Sequence, residues 1–273
     1  QARQVASALR AAQGNAARFA AVARLFAADV EALPRERETF RHALVFAQAA
    51  LGAEAPDQAR TWLDGLEAFL NTQAEAEAEA AMGNPQSVED DGESPADLAN
   101  ATPAEGEAGA DVVAETLAPP PPIEIDAYDL AWTRALTVLA SPEPRPDEID
   151  TAARALIDTA ETEPQIAASV RLMTLWTALD IAPPAAARET LLARDGDLEG
   201  AAPWRLIALR AAAEAGAAGE VVISALGLTG GDPSSLSPRD ALDTIEALKD
   251  MALSDAARDL ALEATGYWKS ERR

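Results

Sequence analysis

Residues that could do chemistry are few in this chain. There is one histidine, His42, and no cysteine, which excludes a multi-histidine metal site, a thiolate site and a disulfide framework, and leaves a histidine-based catalytic pair improbable. His42 lies in an apolar-periodic stretch and reads as a partly exposed helix residue. The densest carboxylate run, Glu89-Asp90-Asp91, could attract a hard cation but lacks the Gly-centred loop of a calcium site, so it reads as solvated charge. The stretch from Gly227 to Gly231 has neither the preceding strand nor the Lys of a phosphate loop and reads as a turn. No catalytic, cofactor-binding or metal-ligating residue emerges, and the expectation is a protein that is not an enzyme.

What does recur is Ala followed by Arg, at Arg24, Arg60, Arg154, Arg188 and Arg258, each shortly before or beside a Leu. The spacing is 36 from Arg24 to Arg60, 34 from Arg154 to Arg188, and 70, or two periods, from Arg188 to Arg258. Sliding the stretch Arg171 to Leu192 forward by 34 residues sets Arg171, Leu172, Met173 and Leu175 on Arg205, Leu206, Ile207 and Leu209. That stretch reads as two short helices and a turn. A fixed period one helical hairpin long is the pattern of a stacked α-solenoid. The arginine row has two readings: a groove for an acidic partner or for the chain's own acidic linker, or guanidiniums paired with carboxylates of the next repeat while their stems cover apolar surface. Trp132, Trp176 and Trp204 fall in the first helices of their hairpins, as core wedges or as ligand anchors.

Composition supports an all-α chain. Hydrophobic residues make up 48% of the 273, yet only five Trp, two Tyr and five Phe are present. Much of the remainder is alanine, which favours helix and lets helices approach closely. Helices are expected over Ala2 to Ala12, from the Asn15 cap to Leu33, over Arg35 to Leu51 with Gly52 as stop, and from Pro56 to Leu70. Further helices follow over 128–139, 146–159, 203–215 and 219–226, with the last two from Ser237-Pro238 to Met251 and from Ser254 to Thr265. The aromatic and basic tail from Tyr267 is placed to fold back and close the stack.

Between Asn71 and Pro122 the texture changes. The stretch holds twelve acidic residues and no Lys or Arg, and its Pro, Gly and Ser leave too little apolar area to offset chain entropy. It reads as a disordered acidic linker whose first part extends the preceding helix by two or three turns. Three regions result: N-terminal helical hairpins over 1–71, the linker over 72–122, and a C-terminal helical-repeat domain over 123–273. The formal charge of −24 argues against nucleic-acid phosphates and anionic membrane surfaces. No apolar run approaches the roughly 18 residues of a membrane span. The chain starts at Gln1, already inside an apolar pattern, which reads as a trimmed fragment. Its compartment therefore stays open between bacterial cytoplasm and periplasm or envelope, and its oligomeric state stays open too.

With two helices per 34 to 36 residues, the Leu51-Gly52 pair and the Ala of each Ala-Arg pair, the chain resembles tetratricopeptide or Sel1-like helical repeats. The resemblance covers residues 15–70 and 123–265. It implies a right-handed α-solenoid that binds a protein or peptide partner on the surface of successive first helices. Arg171 and Arg205, which align, and Trp176 and Arg210, which also align, are the partner-binding candidates. The alternative reading is a helical accessory region of a larger bacterial enzyme or cell-envelope assembly.

Overall fold

The computed structural model describes residues 1–82, 121–185, 187 and 203–269. Among these, every regular element is helical and no strand occurs. The chain is all-α. Glu89-Asp90-Asp91, Arg188, the linker beyond residue 82, the second half of the 171–192 stretch and the basic tail beyond 269 lie outside the described residues, as does the side chain of Trp204.

Local chemistry explains where most helices start. Between α1 (Ala2–Ala12) and α2 (Ala16–Ala32), Asn15 Oδ1 accepts the Arg18 N–H at 2.9 Å. The stretch 35–51, expected as one helix, forms two, α3 (Arg37–Phe40) and α4 (Ala43–Gly52). Thr39 causes the break. Its hydroxyl accepts the Glu36 N–H at 3.1 Å and donates to the Pro34 carbonyl at 2.5 Å, and its own carbonyl takes the His42 N–H at 2.9 Å, closing the turn before α4 begins. Next come α5 (Pro56–Met82), α6 (Ala127–Ala140), α7 (Pro146–Thr159) and α8 (Glu163–Ala178). A capping box of Thr162 and Gln165 opens α8, with the Thr162 N–H donating to Gln165 Oε1 at 3.0 Å. The 171–192 stretch therefore begins halfway along α8 instead of at a helix start.

The hairpin of α9 (Pro203–Glu214) and α10 (Ala218–Thr229) ends in left-handed Gly230. Gly227 is still helical, so the turn expected from it starts at Gly230. After a 3₁₀ turn over Pro233–Ser235, Ser237 caps α11 (Pro238–Asp250), and α12 (Ser254–Ala264) follows.

One compact unit comprises Gln1–Phe69 with Glu124–Arg273, so the helices on either side of the acidic stretch share a core. The second unit, Leu70–Ile123, holds the end of α5, where Gln73 Oε1 accepts the Ile123 N–H at 3.0 Å. In the first unit α2 packs on α1 and α4, and α6 packs on α4, α7 and α8. Helix α11 lies against α8, α9 and α12, and α12 returns to α6. Alanine forms the close approaches. Ala23, Ala59, Ala153, Ala187 and Ala257, the alanines of all five Ala-Arg pairs, are buried. Larger rings fill the remaining space, with Phe46 and Trp62 at 5.0 Å between centroids and Phe40 and Phe69 at 5.2 Å.

The segment after α12 closes this unit. Tyr267 and Trp268 are buried, and the Tyr267 ring meets Phe19 of α2 edge-on at 5.8 Å. Gly52 makes the fit possible. A Cβ there would stand 3.0 Å from Tyr267 Oη and 3.3 Å from Ala23 Cβ. Helix α4 stops at Gly52 as the sequence predicts, the left-handed residue of the turn is Glu54, with φ of 61°, and Gly52 also serves close packing.

Candidate partner-binding surface

The four residues proposed from sequence do not share one surface. Trp176 is 0% exposed and belongs to the core of α8. Its indole N–H has no acceptor among the described residues. This corrects its outward placement. Arg171 also turns inward: Nε donates to the carbonyl of Ala264, the last residue of α12, at 3.0 Å. A guanidinium there complements the negative end of that helix, and burial pulls its pKa down.

Arg205 and Arg210 are exposed on α9. Arg205 Nη1 reaches the Gly227 carbonyl at 3.4 Å, setting the first turn of α9 beside the last turn of α10. Arg210 pairs with Asp243 of α11, whose carboxylate is buried although the guanidinium is largely in solvent. The hydrogen bond and the charge of Asp243 raise the Arg210 pKa. The aligned pairs thus differ: Arg171 and Trp176 serve the interior, Arg205 and Arg210 the surface.

Beside these arginines lies a feature the periodicity did not single out. Ile207 on α9 is 67% exposed, and Ile223 and Leu226 on α10 are 71% and 64% exposed, with Val222 at 40%. Helix α10 is apolar over most of its length, yet its buried residues are only Val221, Ala225 and Thr229. Single exposed aliphatics are ordinary, but several on one hairpin are characteristic of interaction surfaces. The sequence signal was available as a helix with apolar residues on more than one face.

The arginine row behaves as a brace. Arg24 pairs with Glu54 at 2.5 Å and Arg60 Nε with Glu148 at 2.9 Å, each in the next hairpin. Arg154 pairs within its own helix, with Asp150 at 2.7 Å, and Arg258 Nη2 donates to the Pro142 carbonyl at 3.4 Å. Arg60, Arg134 and Arg145 line a cavity of about 160 Å³ between α5, α6 and α7. Each already holds a carboxylate, Arg134 taking Glu67 at 2.8 Å and Arg145 taking Glu148 at 2.7 Å. Burial pushes the Glu148 carboxyl up, and the hydrogen bonds from Arg145 together with the charge of Arg60 outweigh it and hold its pKa low. With its cations neutralised, this cavity has no free guanidinium for an anion.

His42 sits at the turn between α3 and α4, not inside a helix, and its Nδ1 lies 3.1 Å from Arg10 Nη2. Burial, followed by the charge of Arg10, lowers its pKa. No cluster of three or more metal-ligating side chains occurs among the described residues, and no described helix is long and apolar enough to cross a membrane. Family models, curated proteins and solved structures were compared with the chain, and none matches.

Proposed function

We propose that this chain is a non-enzymatic interaction scaffold, built of stacked helical hairpins, that engages a protein or peptide partner through the outer face of the α9–α10 hairpin. The observation that carries the reading is the exposure of Ile207, Ile223 and Leu226 beside Arg205 and Arg210. Aliphatic area rimmed by polar groups suits a partner segment that presents apolar side chains. The helix-to-second-helix contacts α4–α6, α6–α8 and α9–α11 support the repeat arrangement. A photo-crosslinker at position 223 of the full chain tests the surface. A defined species should be captured and then lost in the Ile223→Lys, Leu226→Lys double variant, with the melting transition unchanged. Equal capture by both forms would overturn the assignment.

A further inference from the structure

On a chain of formal charge −24, positive groups gather at one cleft of about 440 Å³. Arg10 comes from α1, Arg41 from the turn between α3 and α4, and Lys269 from the closing segment after α12, with the neutral His42 ring beside Arg10. The cleft is distinct from the α9–α10 face. Elsewhere Arg24, Arg60, Arg134, Arg145 and Arg210 are each held by a carboxylate, and Arg35, Arg171 and Arg205 donate to carbonyls. Arg10 and Arg41 are exposed and make no ion pair among the described residues. Arg10 is turned to the His42 ring nitrogen at 3.1 Å, and Lys269 Nζ donates to the Ser234 hydroxyl at 2.7 Å. Among the described lining residues Asp129 is the one carboxylate. Glu38, which adjoins Arg41, is bound to Arg3 at 3.1 Å.

The lining is not polar throughout. Leu44, Val45 and Ile125 are half-buried along it. Gln48 also lines it, and its side-chain amide makes no hydrogen bond among the described residues. Its amide can both donate to and accept from a peptide group entering the cleft. The acidic charge of the whole chain does not cancel this site, because fields are screened over about 8 Å at physiological salt and the local guanidiniums decide.

We propose that this cleft binds an acidic peptide. Arg10 and Arg41 take its carboxylates, in the two-pronged manner guanidinium allows. Leu44, Val45 and Ile125 take an adjoining aliphatic side chain, and Gln48 takes a peptide group. An inorganic anion would use the guanidiniums alone and leave both the aliphatic lining and the Gln48 amide without purpose.

The test titrates the full chain into a short fluorescein-labelled peptide of alternating Glu and Leu, read by anisotropy at low salt, beside a matched peptide of Gln and Leu. The Glu–Leu peptide is expected to bind, at least about tenfold more tightly than the Gln–Leu peptide, and to weaken as salt rises. Arg10→Ala with Arg41→Ala should weaken it about tenfold or more, and Gln48→Leu several-fold. Because Arg10 and Arg41 are exposed, thermal melting should be unaltered, and Arg41→Glu gives a second variant with the same expected loss. The Ile223→Lys, Leu226→Lys double variant should bind the peptide as the unchanged chain does. Failure of the Glu–Leu peptide to bind, equal binding of the two peptides, retention of binding in the Arg10, Arg41 variant, or loss of it in the Ile223, Leu226 variant would each overturn the proposal.

Discussion

Leu172 and Leu175 of α8 match Leu206 and Leu209 of α9 at a spacing of 34 residues, and all four are buried. One step round the helix the correspondence ends. Met173 and Trp176 are sealed in the core, whereas Ile207 and Arg210 at the matching positions stand in solvent. Among the described residues the neighbours make the difference: α8 is packed by α6, α7 and α11, while α9 is packed by α10 and α11. A helical stripe thus specifies one buried face. Whether the adjoining face is buried depends on how many other helices arrive there, and a surface left uncovered with aliphatic side chains is open to a partner.

The comparison is sharpest at its largest expected effect. Trp176→Ala should cost about 3 to 5 kcal/mol of folding free energy, as a large buried ring replaced by a cavity does. Arg210→Ala, at the matching site, should cost less. Its loss should shrink further when Asp243 is also changed to Asn, since the buried carboxylate is what the guanidinium serves. Denaturant unfolding of the three variants measures this, and equal losses at positions 176 and 210 would break the contrast. Met173→Ala and Ile207→Ala form the second pair. About 2 to 5 kcal/mol is expected for the buried methionine, and a change within about 0.5 kcal/mol for the exposed isoleucine.

The smallest effect concerns pH. Burial, then the charge of neighbouring Asp259, raises the Glu263 carboxyl on α12. The folded state therefore holds the proton more tightly than the unfolded chain, and the associated stability is present below the unfolded pKa and lost as pH rises through the folded one. Glu263→Gln should accordingly raise the melting temperature at pH 7 and leave it nearly unchanged at pH 4. His42 works in the opposite sense. Its folded pKa is lowered, so its contribution is full above about pH 6.5 and declines as pH falls through and below that value. A Glu263→Gln chain with the same melting temperature as its parent at pH 7 would show the carboxylate to be solvated.

Much of the helical architecture was legible in the sequence because it depends on local chemistry. Asn15 and Ser237 cap where side-chain oxygens precede apolar periodicity, and the buried alanines of the Ala-Arg pairs follow a spacing visible without coordinates. The site was less legible. Arg171 and Arg205 align in sequence, but one meets a helix end from elsewhere in the chain and the other reaches the carbonyl of its own hairpin partner. That distinction is made by contacts 93 and 22 residues away, beyond the reach of periodicity. Thr39 illustrates the same limit at short range, since its hydroxyl breaks an apolar pattern that otherwise continues through His42. The cluster of Arg10, Arg41 and Lys269 joins the first helix to the closing segment, and no spacing rule connects them.

The fit of Tyr267 between Phe19 and Gly52 sets an order of events during synthesis. Positions 19 and 52 leave the ribosome long before position 267, and at about 5 to 20 residues per second the delay is roughly ten to fifty seconds. Over that interval the seam between α2 and α4 lacks its aromatic cover, and the hairpins they belong to are open to proteases and to wrong partners. A loop of this length also makes the closing contact unusually non-local for an all-helical chain, so refolding in vitro should be slower than short-range helix pairing alone would give. Tyr267 acts as a late latch: the N-terminal helices can form early, but they acquire their final protection only when the far end of the chain arrives.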